Sequence, residues 1–104
     1  MHDTDRTPGG APVLRRLDDA GRYELDIDGE TVAHATFHRL GDAVIVIPHT
    51  EVDPSLRGHG IGAVLVGAVL DDVRQRGERV VPRCWYVAQY LDEHPDYLDV
   101  VATA

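Results

Sequence analysis

At 104 residues and 43% hydrophobic content the chain has length for one core and enough apolar residues to fill it. A second domain, a long repeat array and a disordered polymer are therefore not expected. Its charge of -8, from ten arginines, no lysine and eighteen carboxylates, argues against a nucleic-acid partner, because phosphate affinity comes from clustered basic residues. The longest apolar run, within Ile61–Leu70, is broken by Gly62 and Gly67 and falls short of the ~20 residues of a membrane span, so no membrane partner is expected.

Met1–Gly10 is polar and lacks the apolar stretch of a secretory signal. The single cysteine, Cys84, excludes an internal disulfide and a Cys-rich zinc site. These features fit a cytoplasmic protein, monomeric or homodimeric. Residues 1–12, rich in Asp, Thr, Pro and Gly, read as a disordered N-terminal lead, and residues 13–104 as one domain.

From Arg22 the pattern becomes that of strands. Tyr23, Leu25 and Ile27 alternate with Glu24, Asp26 and Asp28, and Asp28-Gly29 signals a hairpin. Thr31–His38 is the returning strand, with Ala33, Ala35 and Phe37 on one face and Val32, His34, Thr36 and His38 on the other. After a turn at Leu40-Gly41-Asp42, Ala43–Val52 opens with a β-branched run and reads as a central strand covered on both faces. The three strands are expected to form an antiparallel meander. A loop at Asp53–Leu56 leads to Arg57-Gly58-His59-Gly60-Ile61-Gly62. Beyond it Ile61, Leu65, Val69 and Val73 fall four apart, an amphipathic helix ended by Gly77. Arg79–Val81 is a short strand that a helical crossover places parallel to Ala43–Val52. Tyr86–Glu93 is a second helix, stopped before Pro95. The order is βββ-α-β-α, a mixed α/β fold.

The glycine-rich segment between a buried strand and a long helix has two readings, a tight strand-to-helix connection or an anion site. Glycine lets a ligand approach without a Cβ in the way. The first amides of a helix have no internal acceptor and sit at its positive end, which suits a phosphate. Arg57 adds a charge-assisted bond. A kinase-like P-loop needs a lysine that this chain lacks. The dinucleotide fingerprint has its spacing met by Gly58, Gly60 and Ala63, with Glu78 where a ribose-binding acid would stand. Against it, a loop separates strand from glycine, and too few residues follow Gly62 to complete a doubly wound sheet.

The remaining pattern, Arg-x-x-Gly-x-Gly at Arg57, Gly60 and Gly62, resembles the acetyl-CoA pyrophosphate loop of the GCN5-related N-acetyltransferase family. His49-Thr50-Glu51-Val52, Cys84-x-Tyr86-Val87 and His94-Pro95-x-Tyr97 are similar to its minimal, single-domain branch. The resemblance implies acetyl-CoA (coenzyme A) as cofactor, with its pyrophosphate on the amides of Gly58, His59, Gly60, Ile61, Gly62 and Ala63 beside Arg57, and its pantetheine arm along Glu51 and Val52. It implies acetyl transfer to a small-molecule or peptide amine. The alternative is a CoA-binding or interaction module of the same fold without catalysis.

Transfer to an amine needs a base, since the unperturbed amine has a pKa of ~10. His49, at the end of the central strand, is the candidate, with Glu51 or water in its place as alternatives. Cys84 follows the last strand and has two readings, a nucleophile that takes the acetyl group or a buried apolar thiol. Tyr90 has two as well, a proton donor to the leaving thiolate or a packed ring. His34 and His38 share a strand face but lack a third ligand, so no metal is expected. The acids after Cys84, from Asp92 to Asp99, suggest a cationic acceptor.

Overall fold

The computed structural model describes residues 10–102; all but the last three residues of the expected N-terminal lead lie outside that range. The strands are β1 (Val13–Leu17), β2 (Arg22–Ile27), β3 (Glu30–Arg39), β4 (Val44–Val52) and β5 (Arg79–Pro82), and the helices α1 (Ile61–Gln75) and α2 (Trp85–Glu93). Short 3-10 turns occupy Pro54–Leu56 and Pro95–Val100. The sheet has the order β1-β2-β3-β4-β5, antiparallel up to β4 and parallel between β4 and β5. This is the expected mixed α/β fold, with one strand more in the meander.

The added strand explains why periodicity passed over it. Pairing sets Leu14 opposite Leu25 and Arg16 opposite Tyr23, so the inward face of β1 carries an arginine where a hydrophobe is the rule. The Arg16 side chain is only 3% exposed. It is held by Asp18, by both oxygens of Glu78, and by the Tyr23 hydroxyl, which itself donates to Asp72. Its guanidinium lies over the Phe37 ring.

The remaining core follows the sequence pattern. Tyr23, Leu25 and Ile27 of β2 and Ala33, Ala35 and Phe37 of β3 are buried with Leu65, Val69, Leu70 and Val73 of α1. Asp28 and Gly29 both have positive φ, as the hairpin requires. Helix α1 ends in a Schellman motif, in which Glu78 donates to the Val73 carbonyl and Gly77 to that of Arg74. No helix of the described residues is long and apolar enough to cross a membrane.

Two features of β4 open the sheet. The register against β3 shifts between Thr36 and His38, which places a bulge at Ile47-Pro48. Pairing with β5 ends at Ile47 and Pro82, and proline has no N–H to continue a ladder. Only the first half of β4 is therefore covered on both faces; Pro48, His49 and Glu51 are exposed. Beyond Ile47 the two parallel strands part.

Candidate active site

A cavity of about 700 Å3 occupies this opening. One wall is His49–Val52 of β4, another the Arg57–Gly62 loop, and the third Arg83–Tyr86 at the start of α2. Asp53 donates its amide to the Val32 carbonyl on β3. By the alternation along a strand, the backbone groups of Val52 and Thr50 then turn toward the opened edge, and those of Glu51 toward β3. Of the two residues expected to meet a pantetheine arm, Val52 thus presents its backbone to the opening and Glu51 only its side chain. Thr50, passed over in the sequence, presents its backbone there as well.

At the loop, Gly58 and Gly60 have φ of 92° and 75°. Gly60 caps α1 in the left-handed region, and the first helical bond runs from the Val64 amide to the Gly60 carbonyl. The amides of Ile61, Gly62 and Ala63 precede it, at the positive end of a 15-residue helix. A Cβ on Gly58 or Gly60 would meet nothing within 4 Å, so their demand for glycine comes from the backbone. Gly62 differs, for a Cβ there would stand 2.8 Å from the Tyr86 hydroxyl. It lets α2 approach α1. His59 and Ala63 do not line the cavity with their side chains, and the Ile61 side chain is buried in the core.

Arginine placement divides the molecule. Arg15, Arg16, Arg22, Arg39, Arg74 and Arg76 are paired with carboxylates. Arg57 and Arg83, both at the cavity, make no ion pair among the described residues. Two uncommitted cations beside a glycine-capped helix end fit a polyanionic ligand such as the pyrophosphate arm of acetyl-CoA. The dinucleotide alternative loses its acid, because both Glu78 oxygens are taken by Arg16.

Cys84 is the residue before α2 and 7% exposed. Burial pushes its thiol up, but the Thr50 hydroxyl 3.5 Å from Sγ and the amides of Val87, Tyr86 and Thr50 pull harder, and the net displacement is downward. Those amides fall short of a formal cap bond to the sulfur; the helix end acts on it as a local positive field. His49 reaches the cavity from the opposite side of the sheet, since it pairs with Thr36 while Thr50 pairs with Ala35.

Tyr90 does not line the cavity. Its ring stacks on His94 with centroids 3.9 Å apart, so of its two readings the packed ring holds. Tyr86 lines the cavity instead. The late acids do not line it either; Asp99 pairs with Arg74 and Glu93 accepts from Gln89. Glu51 is the carboxylate among the cavity-lining residues described. It also meets His34 and His49, a grouping that the pair His34 and His38 did not anticipate.

Residues 22–100 match the model of a family described as GCN5-related N-acetyl-transferase. The chain belongs to that family. Over 59 residues it is 34% identical to Protein NATD1 of Homo sapiens and of Gallus gallus, covering 57% of this chain and 52% and 54% of those proteins. It thus spans about half the length of these relatives. Its fold is similar to that of a GCN5-like protein of Staphylococcus aureus, with a TM-score of 0.65, 22% identity and coverage of 88% of this chain and 89% of that one. N-acetylglutamate synthase of Neisseria gonorrhoeae, solved with coenzyme A and N-acetyl-glutamate, gives a TM-score of 0.55 at 19% identity, over 79% of this chain and 21% of that one. At these identities the structural likeness shows the fold. For a family member the cofactor is acetyl-CoA, and the glycine-capped helix end fits it.

Proposed function

We propose that the chain is an acetyl-CoA-dependent N-acetyltransferase whose Arg57–Ala63 loop holds the pyrophosphate and whose parted strands receive the acyl arm. The observation that carries this reading is the cavity between β4 and β5, which joins the helix end to Cys84 and His49 in one space. Bound acetyl-CoA supplies a thioester whose carbonyl carbon forms a new bond as its C–S bond breaks.

The chain's own groups do the rest. Arg57 and Arg83 balance phosphate charge. The outward backbone groups of Thr50 and Val52 align the arm as an added strand. Cys84, with its depressed pKa, takes the acetyl group as a thiolate, and the acceptor amine then displaces it. His49 removes the proton that the incoming ammonium must lose. Glu51 and the exposed Trp85 stand at the entrance, where a cationic amine meets a carboxylate and an aromatic face.

Two measurements test this. CoA at about 100 times its Kd should stabilise the fold by ~2.7 kcal/mol, about 10 °C or more in Tm for a domain of this size, whereas NAD should leave Tm unchanged. Labelled acetyl-CoA should then pass its acetyl group to a member of a panel of amines, polyamines and peptides, with label on Cys84 trapped when the acceptor is withheld. A melt flat to CoA would overturn the reading. A CoA shift with no transfer to any acceptor would reduce it to the non-catalytic module.

A further inference from the structure

On the face of the sheet away from the helices, His34 of β3 stands opposite Glu51 of β4, and His49 lies two residues before Glu51 on the same strand and face. Their ligand atoms all lie within 4.8 Å of one another. His34 Nε2 is 3.7 Å from Glu51 Oε1, and His49 Nε2 is 3.6 Å from the same oxygen. We infer that His34, His49 and Glu51 bind one borderline divalent cation of the zinc class.

Several observations point the same way. The two contacts to Glu51 are too long for hydrogen bonds. They approach the spacing of a coordination shell, because atoms about 2.0–2.2 Å from a tetrahedral zinc stand about 3.3–3.6 Å from one another. Two imidazoles and a carboxylate are a donor set that zinc and its neighbours accept, with a further position left for water. The three residues sit on paired strands, so register rather than loop conformation sets their separation. Glu51 and His49 have side chains 54% and 59% exposed, which gives the ion an entry path. No arginine is paired with Glu51 among the described residues, in contrast to Glu24, Asp26 and Glu78.

The inference goes beyond the transfer reading and does not need it. A metal held there takes His49 out of use as a free imidazole, so the loaded site and the base of the transfer reading exclude each other. The test is direct binding without CoA. Untagged protein is titrated with Co2+, followed by its visible d–d absorption, and Zn2+ is then used to displace it. One equivalent of Co2+ is expected, with low coordination number and no sulfur-to-cobalt charge-transfer band. His34→Ala and Glu51→Gln should each weaken binding by about tenfold or more, while His38→Ala, outside the cluster, keeps it. Glu51→Gln is exposed and isosteric, so it decides the matter if His34→Ala does not fold. Binding that is unchanged in Glu51→Gln, a sulfur band from Cys84, or no saturable Co2+ spectrum would each overturn the inference.

Discussion

The Thr50 hydroxyl lies 3.5 Å from the Cys84 sulfur, across the gap where β4 and β5 part. The two residues are 34 positions apart in sequence, and each is unremarkable alone. Together with the amides of Val87, Tyr86 and Thr50, this contact pulls the Cys84 thiol below its ordinary value despite the opposing effect of burial. The thiolate of Cys84 is therefore present at a lower pH than that of a free cysteine.

Alkylation of Cys84 by iodoacetamide, followed by mass spectrometry against pH, should accordingly show its midpoint below that of an unstructured thiol. Thr50→Val removes one donor and keeps the shape. It should move that midpoint upward, because the depressed value depends on stabilising the anion. An unchanged midpoint in Thr50→Val would remove Thr50 as the cause.

Gly60→Ala separates backbone from contact. Nothing crowds the position, yet φ is 75°, and an L-residue in the left-handed region costs about 1–2 kcal/mol. A modest loss of Tm is expected together with loss of most of the CoA-induced shift, as the loop relaxes away from the ligand. A variant that melts lower but keeps the full CoA shift would show that the loop does not hold the cofactor.

Arg16 and Glu78 form an ion pair that joins β1 to the residue before β5. With Arg16 3% and Glu78 9% exposed, removing one partner leaves the other with its remaining contacts alone, Glu78 with Arg39 and Arg16 with Asp18. Arg16→Met or Glu78→Gln should each destabilise the fold by about 1–3 kcal/mol, the cost of losing charged hydrogen bonds. The double variant should lose less than the sum, since the contact between the two residues is lost already in either single variant. Urea unfolding of all four proteins measures this, and strict additivity would mean that the pair is not coupled.

The C-terminal segment should contribute to stability without touching the chemistry. Tyr97 donates to Asp71 at 2.6 Å, which pushes its own pKa up to about 12, and Arg74 grips Asp99. Tyr97→Phe is expected to lower Tm by a few degrees and to leave the CoA-induced shift intact. Loss of that shift would tie the segment to the cavity.

Much of this fold was legible because its signals are local. The period-two pattern of Tyr23–Ile27, the Asp28-Gly29 turn and the four-residue spacing of α1 each need only neighbours along the chain. Strand β1 was not legible, since its inward position is Arg16, whose burial depends on Glu78, 62 residues away. The late acids misled for a related reason: they follow Cys84 in the chain, but α2 and the 3-10 turn at Pro95–Val100 carry them off the cavity, with Asp99 held by Arg74 of α1.

The same division runs through the site. Sequence alone determined the Arg57–Gly62 loop at the head of a helix, because its amides are consecutive in the chain, and the resemblance that this loop carries pointed to the family and its cofactor. Tertiary structure decided the rest. Which side of β4 carries Thr50 and which carries His49, that Glu51 meets His34 rather than an amide ligand, and that Glu78 is spent on Arg16 all follow from strand register and helix packing. Those are set by contacts between segments far apart in the chain, and a one-residue slip in register would reverse every one of the side-chain placements on β4.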